Sequence, residues 1–230
     1  MAENRISGIP MRERARRFFD LALGAGALSF GEFTLKSGRI SPYFFDLGRI
    51  RRGQEIAELG TLYAETLIEA KLPLSTLFGP AYKGIPLVVA TAIALSALQK
   101  EPVNYAFNRK EAKDHGEGGR IVGGPLKGPV VIIDDVITAG TAIRESMALL
   151  EATPARPVGV IVALDREECG TEGSCSALTE TRIRWGLSVH AIASFSDLIA
   201  YLGHEPRWKT TYESLARYRA QYGTRQEEPV

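Results

Sequence analysis

Residues 130–142 read VVIIDDVITAGTA: a β-branched apolar run, two adjacent carboxylates and a loop of small residues. Val130 to Ile133 has the unbroken apolar character of a strand buried on both faces. Thr138, Ala139, Gly140 and Thr141 then open a helix predicted over 141–151. Backbone N–H groups at such a start lack intrahelical partners, and the helix dipole adds partial positive charge, so a phosphate dianion fits there. The two threonine hydroxyls add donors. Asp134 and Asp135 arrive at the strand end, where open α/β sheets place their ligands. A Walker loop is excluded, because GxxxxGK[ST] is missing and two carboxylates ahead of the loop would repel an overlying polyphosphate. Carboxylates there suit ribose hydroxyls and a developing oxocarbenium ion. The plainer reading is a turn followed by an N-capped helix.

On either side of this stretch, strand and helix patterns alternate. Strands are predicted over 75–78, 103–107, 158–164 and 188–192, and helices over 54–71, 85–99 and 195–202. Such alternation predicts an open, mostly parallel sheet flanked by helices. Ahead of it, residues 12–28 carry apolar positions at helical spacing, with Gly24 and Gly26 as a stop. FGEFTLKSGRISPYFFDLG (30–48) then reads as two strands around a Ser37-Gly38 turn. Residues 107–121 contain NRKEAKDHGEGGR, too polar to enter a core, and predict a mobile surface loop. Residues 212–222 have a helical pattern; 181–185 reads as an arginine-rich strand, and neither suggests a function.

At 230 residues the chain suits one elaborated domain, given roughly 100–200 residues per domain. The expected division is a hood over about 11–50, a core over about 51–204 and a tail over 205–230. With 45% hydrophobic and 24% charged residues and a formal net charge of +1, the composition argues against a general nucleic-acid binder. Neither a signal peptide nor a run of about 18 apolar residues is present, so the expectation is a cytoplasmic protein with no membrane partner. Cys169 and Cys175 match neither a zinc knuckle nor a CxxC pair and read as reduced thiols.

Two further segments carry chemistry. GPAYKG (79–84) sets Tyr82 and Lys83 between glycines just after a strand, a loop that lets a pyrophosphate approach beside a neutralising lysine. A simple β-turn is the alternative. The polar loop offers Arg109, Lys110, Lys113 and His115 as anion-binding groups on glycine hinges.

VVIIDDVITAGTA resembles the ribosyl-donor motif of the type I phosphoribosyltransferases. FGEFTLKSGRISPYFFD (30–46), LFGPAYKGIPL (77–87), FNRKEAKDHGEGG (107–119), LDREE (164–168) and DLIAYL (197–202) are similar to segments of the bacterial members that use orotate, over about 18–202. The resemblance implies that family's fold, with a helix-hairpin hood. It also implies transfer of a phosphoribosyl group from 5-phosphoribosyl 1-pyrophosphate to orotate, giving orotidine 5-monophosphate. By the same resemblance Asp134, Asp135, Lys113, Arg109 and His115 are catalytic. The ribosyl donor is expected on those residues with Lys36, Tyr82, Lys83, Lys110, Val136, Ile137, Thr138, Ala139, Gly140, Thr141 and Ala142. Orotate is expected on Phe44, Phe45, Thr138 and Arg166, the arginine facing the carboxylate. Magnesium is implied as cofactor, held mainly by substrate rather than by protein ligands. A homodimer with shared active sites is implied because this family's charged loop reaches the neighbouring subunit. Two alternatives are transfer to another base and a donor-sensing regulator without catalysis.

Overall fold

The computed structural model describes residues 13–35, 37–113, 119–137, 140–169, 175–203 and 205–224, with only the backbone of 112 and 113. The chain divides into two compact units. One comprises Met1–Ile50, Arg166–Ser176 and Ala193–Val230; the other comprises Arg51–Asp165 and Ala177–Ile192.

The larger unit is built on strands β3 (Thr76–Gly79), β4 (Asn104–Lys113), β5 (Gly119–Gly123), β6 (Gly128–Asp134) and β7 (Ala155–Asp165). Strand β8 (Ser188–Ser194) completes a six-stranded sheet of order β5-β4-β3-β6-β7-β8. The β3–β4, β3–β6 and β6–β7 pairs are parallel, and β4–β5 is the one antiparallel pair of this sheet among those with a described register. Helices α2 (Gly53–Ala70) and α3 (Gly84–Gln99) pack together and onto this sheet. On β6, Val130 and Ile132 join a cluster with Ile143, Met147 and Leu150 of α4 (Thr141–Glu151) and Leu178 of α5 (Ala177–Trp185). Val131 and Ile133, pointing the other way along the strand, are equally buried. The β-branched run is therefore apolar throughout because both faces of the strand are covered.

Two expectations are corrected here. Residues 181–185 lie in helix α5 rather than in a strand. The polar/apolar alternation of that segment is misleading, since Ile183 is 76% exposed while Leu178 and Thr181, three apart, are buried at helical spacing. Residues 107–121 are not wholly loop: β4 continues to Lys113 and pairs with β5 from Lys113↔Gly119 to Ala106↔Gly123. Antiparallel pairing satisfies backbone groups whatever the side chains, so a polar run can extend a strand at a sheet edge. Gly123 is required there, because its φ is 112° and a Cβ would meet Tyr105 O at 2.4 Å.

The smaller unit contains α1 (Glu13–Gly24), the hairpin of β1 (Leu28–Thr34) and β2 (Ile40–Phe45), α6 (Phe195–Gly203) and α7 (Lys209–Tyr222). The hairpin turn closes through Leu35 N to Arg39 O at 2.8 Å and Gly38 N to Leu35 O at 2.9 Å, with Gly38 at φ 80°. Aromatic contacts make its core. Phe18 lies 5.8 Å from Phe45, Phe19 5.5 Å from Tyr201, and Tyr43 stacks on Phe195 at 5.1 Å. Both cysteines are free thiols. Among the described residues, no helix is long and apolar enough to cross a membrane.

Candidate active site

In the larger unit, β6 delivers Asp134 and Asp135 to its end. Asp134 is buried, and its Oδ1 accepts from Asp135 N at 2.9 Å. Asp135 Oδ1 accepts from Val136 N at 2.8 Å, while its Oδ2 pairs with Lys83 Nζ at 2.8 Å. Each carboxylate is thus oriented by the next backbone amide and keeps acceptor capacity for a ligand. Burial first, and the Asp135 charge second, push the Asp134 carboxyl up to about 7; the Asp135 amide and Lys83 pull the other way.

Beyond the acid pair, Val136 is half-buried and Ile137 is anchored in the core cluster, so Ile137 has only its backbone to offer a ligand. Gly140 caps α4 at φ 65°, without a side-chain cap bond. Among the described residues no side chain caps the helix start, where backbone amides suit an anion. Thr141 is exposed and Ala142 half-buried, and Thr141 Oγ1 accepts from Arg144 Nη2 at 3.3 Å. Thr138 and Ala139 lie outside the described residues, as do Lys36 and His115, and Lys113 is described by backbone alone.

The 79–84 loop folds back tightly. A Cβ on Gly79 would lie 2.3 Å from Gly84 O, and Gly84 N donates to Pro80 O at 2.9 Å. The Ala81–Tyr82 peptide is cis. Asn108 Oδ1 accepts from Ala81 N at 2.9 Å, tying this loop to β4. Tyr82 is 70% exposed with Lys110 Nζ 5.7 Å from its ring, and the neighbouring Arg109 keeps a buried Nη1 with no partner among the described residues. The larger unit thus assembles Lys83 with the acid pair and carries Arg109 and Lys110 on β4.

In the smaller unit, Phe44 is 41% exposed beside Phe33, whereas Phe45 leans on Phe18. The two rings point opposite ways along β2. Arg166 does not stand alone. Its Nη2 and Nε donate to Glu168 Oε1 at 2.7 and 3.0 Å, and its Cζ lies 4.6 Å over the Tyr43 ring.

Four participants escape a reading of the sequence. Tyr63 donates its hydroxyl to Asp134 O at 2.7 Å inside the core, yet on α2 it reads as one more apolar position. Asn108 looks like any polar loop residue. Tyr43 and Glu168 hold Arg166, and the signal for Glu168 was its place two residues beyond a strand-end arginine.

As a cation site, Asp134 and Asp135 offer hard oxygen donors, and among the described residues no group of three or more His, Cys, Asp or Glu gathers. That donor set fits magnesium bound largely through substrate oxygens.

Comparison with known proteins gives the family. The Phosphoribosyl transferase domain matches residues 47–176. An orotate phosphoribosyltransferase of Methylococcus capsulatus is 52% identical, covering 93% of this chain and 100% of the relative. The solved orotate phosphoribosyltransferase of Francisella tularensis superposes with TM-score 0.81 at 38% identity, covering 90% of this chain and 99% of that one. A Mycobacterium tuberculosis orotate phosphoribosyltransferase in complex with 5-phospho-alpha-D-ribosyl 1-diphosphate shares the fold at TM-score 0.59 and 23% identity, over 80% of this chain and 98% of that one. With full-length relatives more than half identical and the domain matched across its core, the chain belongs to the orotate phosphoribosyltransferases.

Proposed function

We propose how this chain's residues divide the reaction of its family: transfer of the 5-phosphoribosyl group from 5-phosphoribosyl 1-pyrophosphate to orotate, giving orotidine 5-monophosphate and pyrophosphate in pyrimidine biosynthesis. The chain acts as one phosphoribosyltransferase domain with a hood over about 11–50. The backbone amides from Val136 to Ala142, with the Thr138 and Thr141 hydroxyls, hold the 5-phosphate at the start of α4. Asp134 and Asp135 accept from the ribose hydroxyls. The observation that carries this reading is the acid pair at the end of β6, with Asp134 buried and Asp135 half-buried, oriented by its own loop amides and opening into a glycine-capped helix start.

As the bond from C1 to pyrophosphate lengthens, positive charge grows on the ribose and negative charge on the leaving group. The two carboxylates stabilise the first, and Lys36, Tyr82, Lys83, Arg109, Lys110, Lys113 and His115 bind and stabilise the second. A ring nitrogen of orotate forms the new bond to C1 as the bond to pyrophosphate breaks, and gives up its proton to solvent or the released pyrophosphate, so no covalent enzyme intermediate is needed. Magnesium held beside Asp134 and Asp135, largely by substrate oxygens, would supply positive charge that offsets the charge growing on the leaving group. Phe44 and Phe45 wall the planar base, with Thr138 at its edge, and Arg166 faces its carboxylate. The charged loop of one subunit serves the active site of its partner in a cytoplasmic homodimer.

Mixing the protein with orotate, the ribosyl donor and magnesium tests the reading. Orotate ultraviolet absorbance is expected to fall; unchanged absorbance would leave a donor-sensing regulator as the better account.

A further inference from the structure

We infer that Glu168 and the C-terminal end of α7 are positioning elements that aim Arg166 at the carboxylate of the base. This rests on the proposed role of Arg166 and adds what makes the arginine selective. Arg166 is fixed on one edge and one face. Its Nε and Nη2 share Glu168 Oε1, and the guanidinium lies over Tyr43, whose hydroxyl donates to the same oxygen at 3.1 Å. Tyr43 is in turn immobilised, fully buried between Phe195 at 5.1 Å and Tyr218 at 6.2 Å. The remaining guanidinium edge, Nη1 with the outer hydrogen of Nη2, has no partner among the described residues. A planar carboxylate takes two parallel N–H bonds from such an edge.

The segment carrying Glu168 depends on α7 for its own position. Glu167 sits at φ 49°, a turn that an L-residue keeps only when its surroundings hold it. Those surroundings are specific. Glu167 O accepts from Thr224 N at 2.8 Å, Glu168 pairs with Gly223 as an isolated β-bridge, and Cys169 N donates to Tyr222 O at 2.9 Å. Arg39 adds a strap, donating from Nη1 to Cys169 O at 2.9 Å with its Cζ 4.9 Å over the Tyr222 ring. Glu167 Oε2 accepts from Ser196 N at 2.8 Å on the other side. Gly223 permits the close turn, since a Cβ there would meet Arg219 O at 2.5 Å. The C-terminal helix, silent in the sequence, thus holds the glutamate that orients the arginine.

Steady-state kinetics on full-length Glu168→Ala, Glu168→Gln, Gly223→Ala and Arg166→Ala, with melting temperatures as a folding control, test this. Glu168→Ala and Gly223→Ala should raise the KM for orotate about tenfold, the scale of one lost charge-assisted hydrogen bond, with kcat and the KM for the ribosyl donor near the parent's. Glu168→Gln should restore most orotate affinity, because its amide oxygen still accepts from Nε and Nη2. If Glu168→Ala does not fold, Glu168→Asp, which withdraws the carboxylate by one methylene, carries the same expectation. A parental orotate KM in Glu168→Ala and Gly223→Ala, beside a raised one in Arg166→Ala, overturns the inference and leaves the arginine's role intact. A parental orotate KM in Arg166→Ala defeats that role itself. Equal loss on both substrates and kcat would show general damage and also overturn the inference.

Discussion

The acid pair of the larger unit and the arginine cluster of the smaller one face opposite electrostatic problems. At the end of β6, two like charges sit on adjacent residues and one is buried, so Asp134 titrates near neutrality and half-exposed Lys83 compensates only Asp135 directly. Around Arg166 the charges already cancel: a largely buried arginine and glutamate share two hydrogen bonds, and Tyr43 donates a third to the glutamate. On the proposed mechanism, the first region gains from a positive ribose, whose charge would relieve its like-charge repulsion. The second is neutral and rigid at rest, and can only offer a shaped edge. On the proposed roles, one region serves rate and the other selection.

The sharpest way to break this division is Lys113→Ala, a change on the rate side. Turnover is expected to fall by roughly 100-fold or more while orotate binding barely changes, since the proposed role of the loop is to act on the departing pyrophosphate. Single-turnover kinetics beside orotate titration check this, and an unchanged turnover number would contradict it. Next in size is Asp134→Asn, which should lower kcat by roughly 10- to 100-fold and also alter stability. Between the ordinary 3.8 of an aspartate and about 7, the folded chain keeps a proton that the unfolded chain has released. This group therefore costs stability progressively as pH rises through that window. The asparagine variant should match the parent near pH 4 and gain on it as pH rises, by roughly 4 kcal/mol at pH 8 as an upper bound, read by denaturant melts at both pH values. A constant difference across that range would mean that Asp134 is not raised.

How much of this was legible follows the same division. The acid pair, its buried strand and the helix beyond it are contiguous, so periodicity and loop composition expose them together. The cluster around Arg166 is assembled from β2, residues 166–169 and the end of α7, and only Arg166 announced itself through its strand-end place. Helix α5 was misread because the alternation Thr181-Arg182-Ile183-Arg184-Trp185 mimics a strand, while its actual anchors are Leu178 and Thr181. The β4–β5 hairpin was missed because backbone pairing leaves no trace in side-chain polarity. Tyr63 was hidden for a different reason: its partner is a carbonyl 71 positions away, and no pattern of side chains records that bond.

Tyr63→Phe is the smallest test and sharpens the rate side. Removing the hydroxyl leaves Asp134 O without that donor and should cost about 1 kcal/mol of stability, with a few-fold loss of kcat and no change in the orotate KM. Denaturant unfolding and steady-state rates together check it; a raised orotate KM would blur the two regions.

The most direct measurement is discrimination between bases: kcat/KM for orotate against uracil, which lacks the carboxylate, in the parent and in Arg166→Ala. Selection by the smaller unit predicts that the parent strongly prefers orotate, that the variant loses most of that preference, and that the KM for the ribosyl donor stays constant. Preference retained in Arg166→Ala, or a donor KM that rises with it, would contradict the separation of rate from selection.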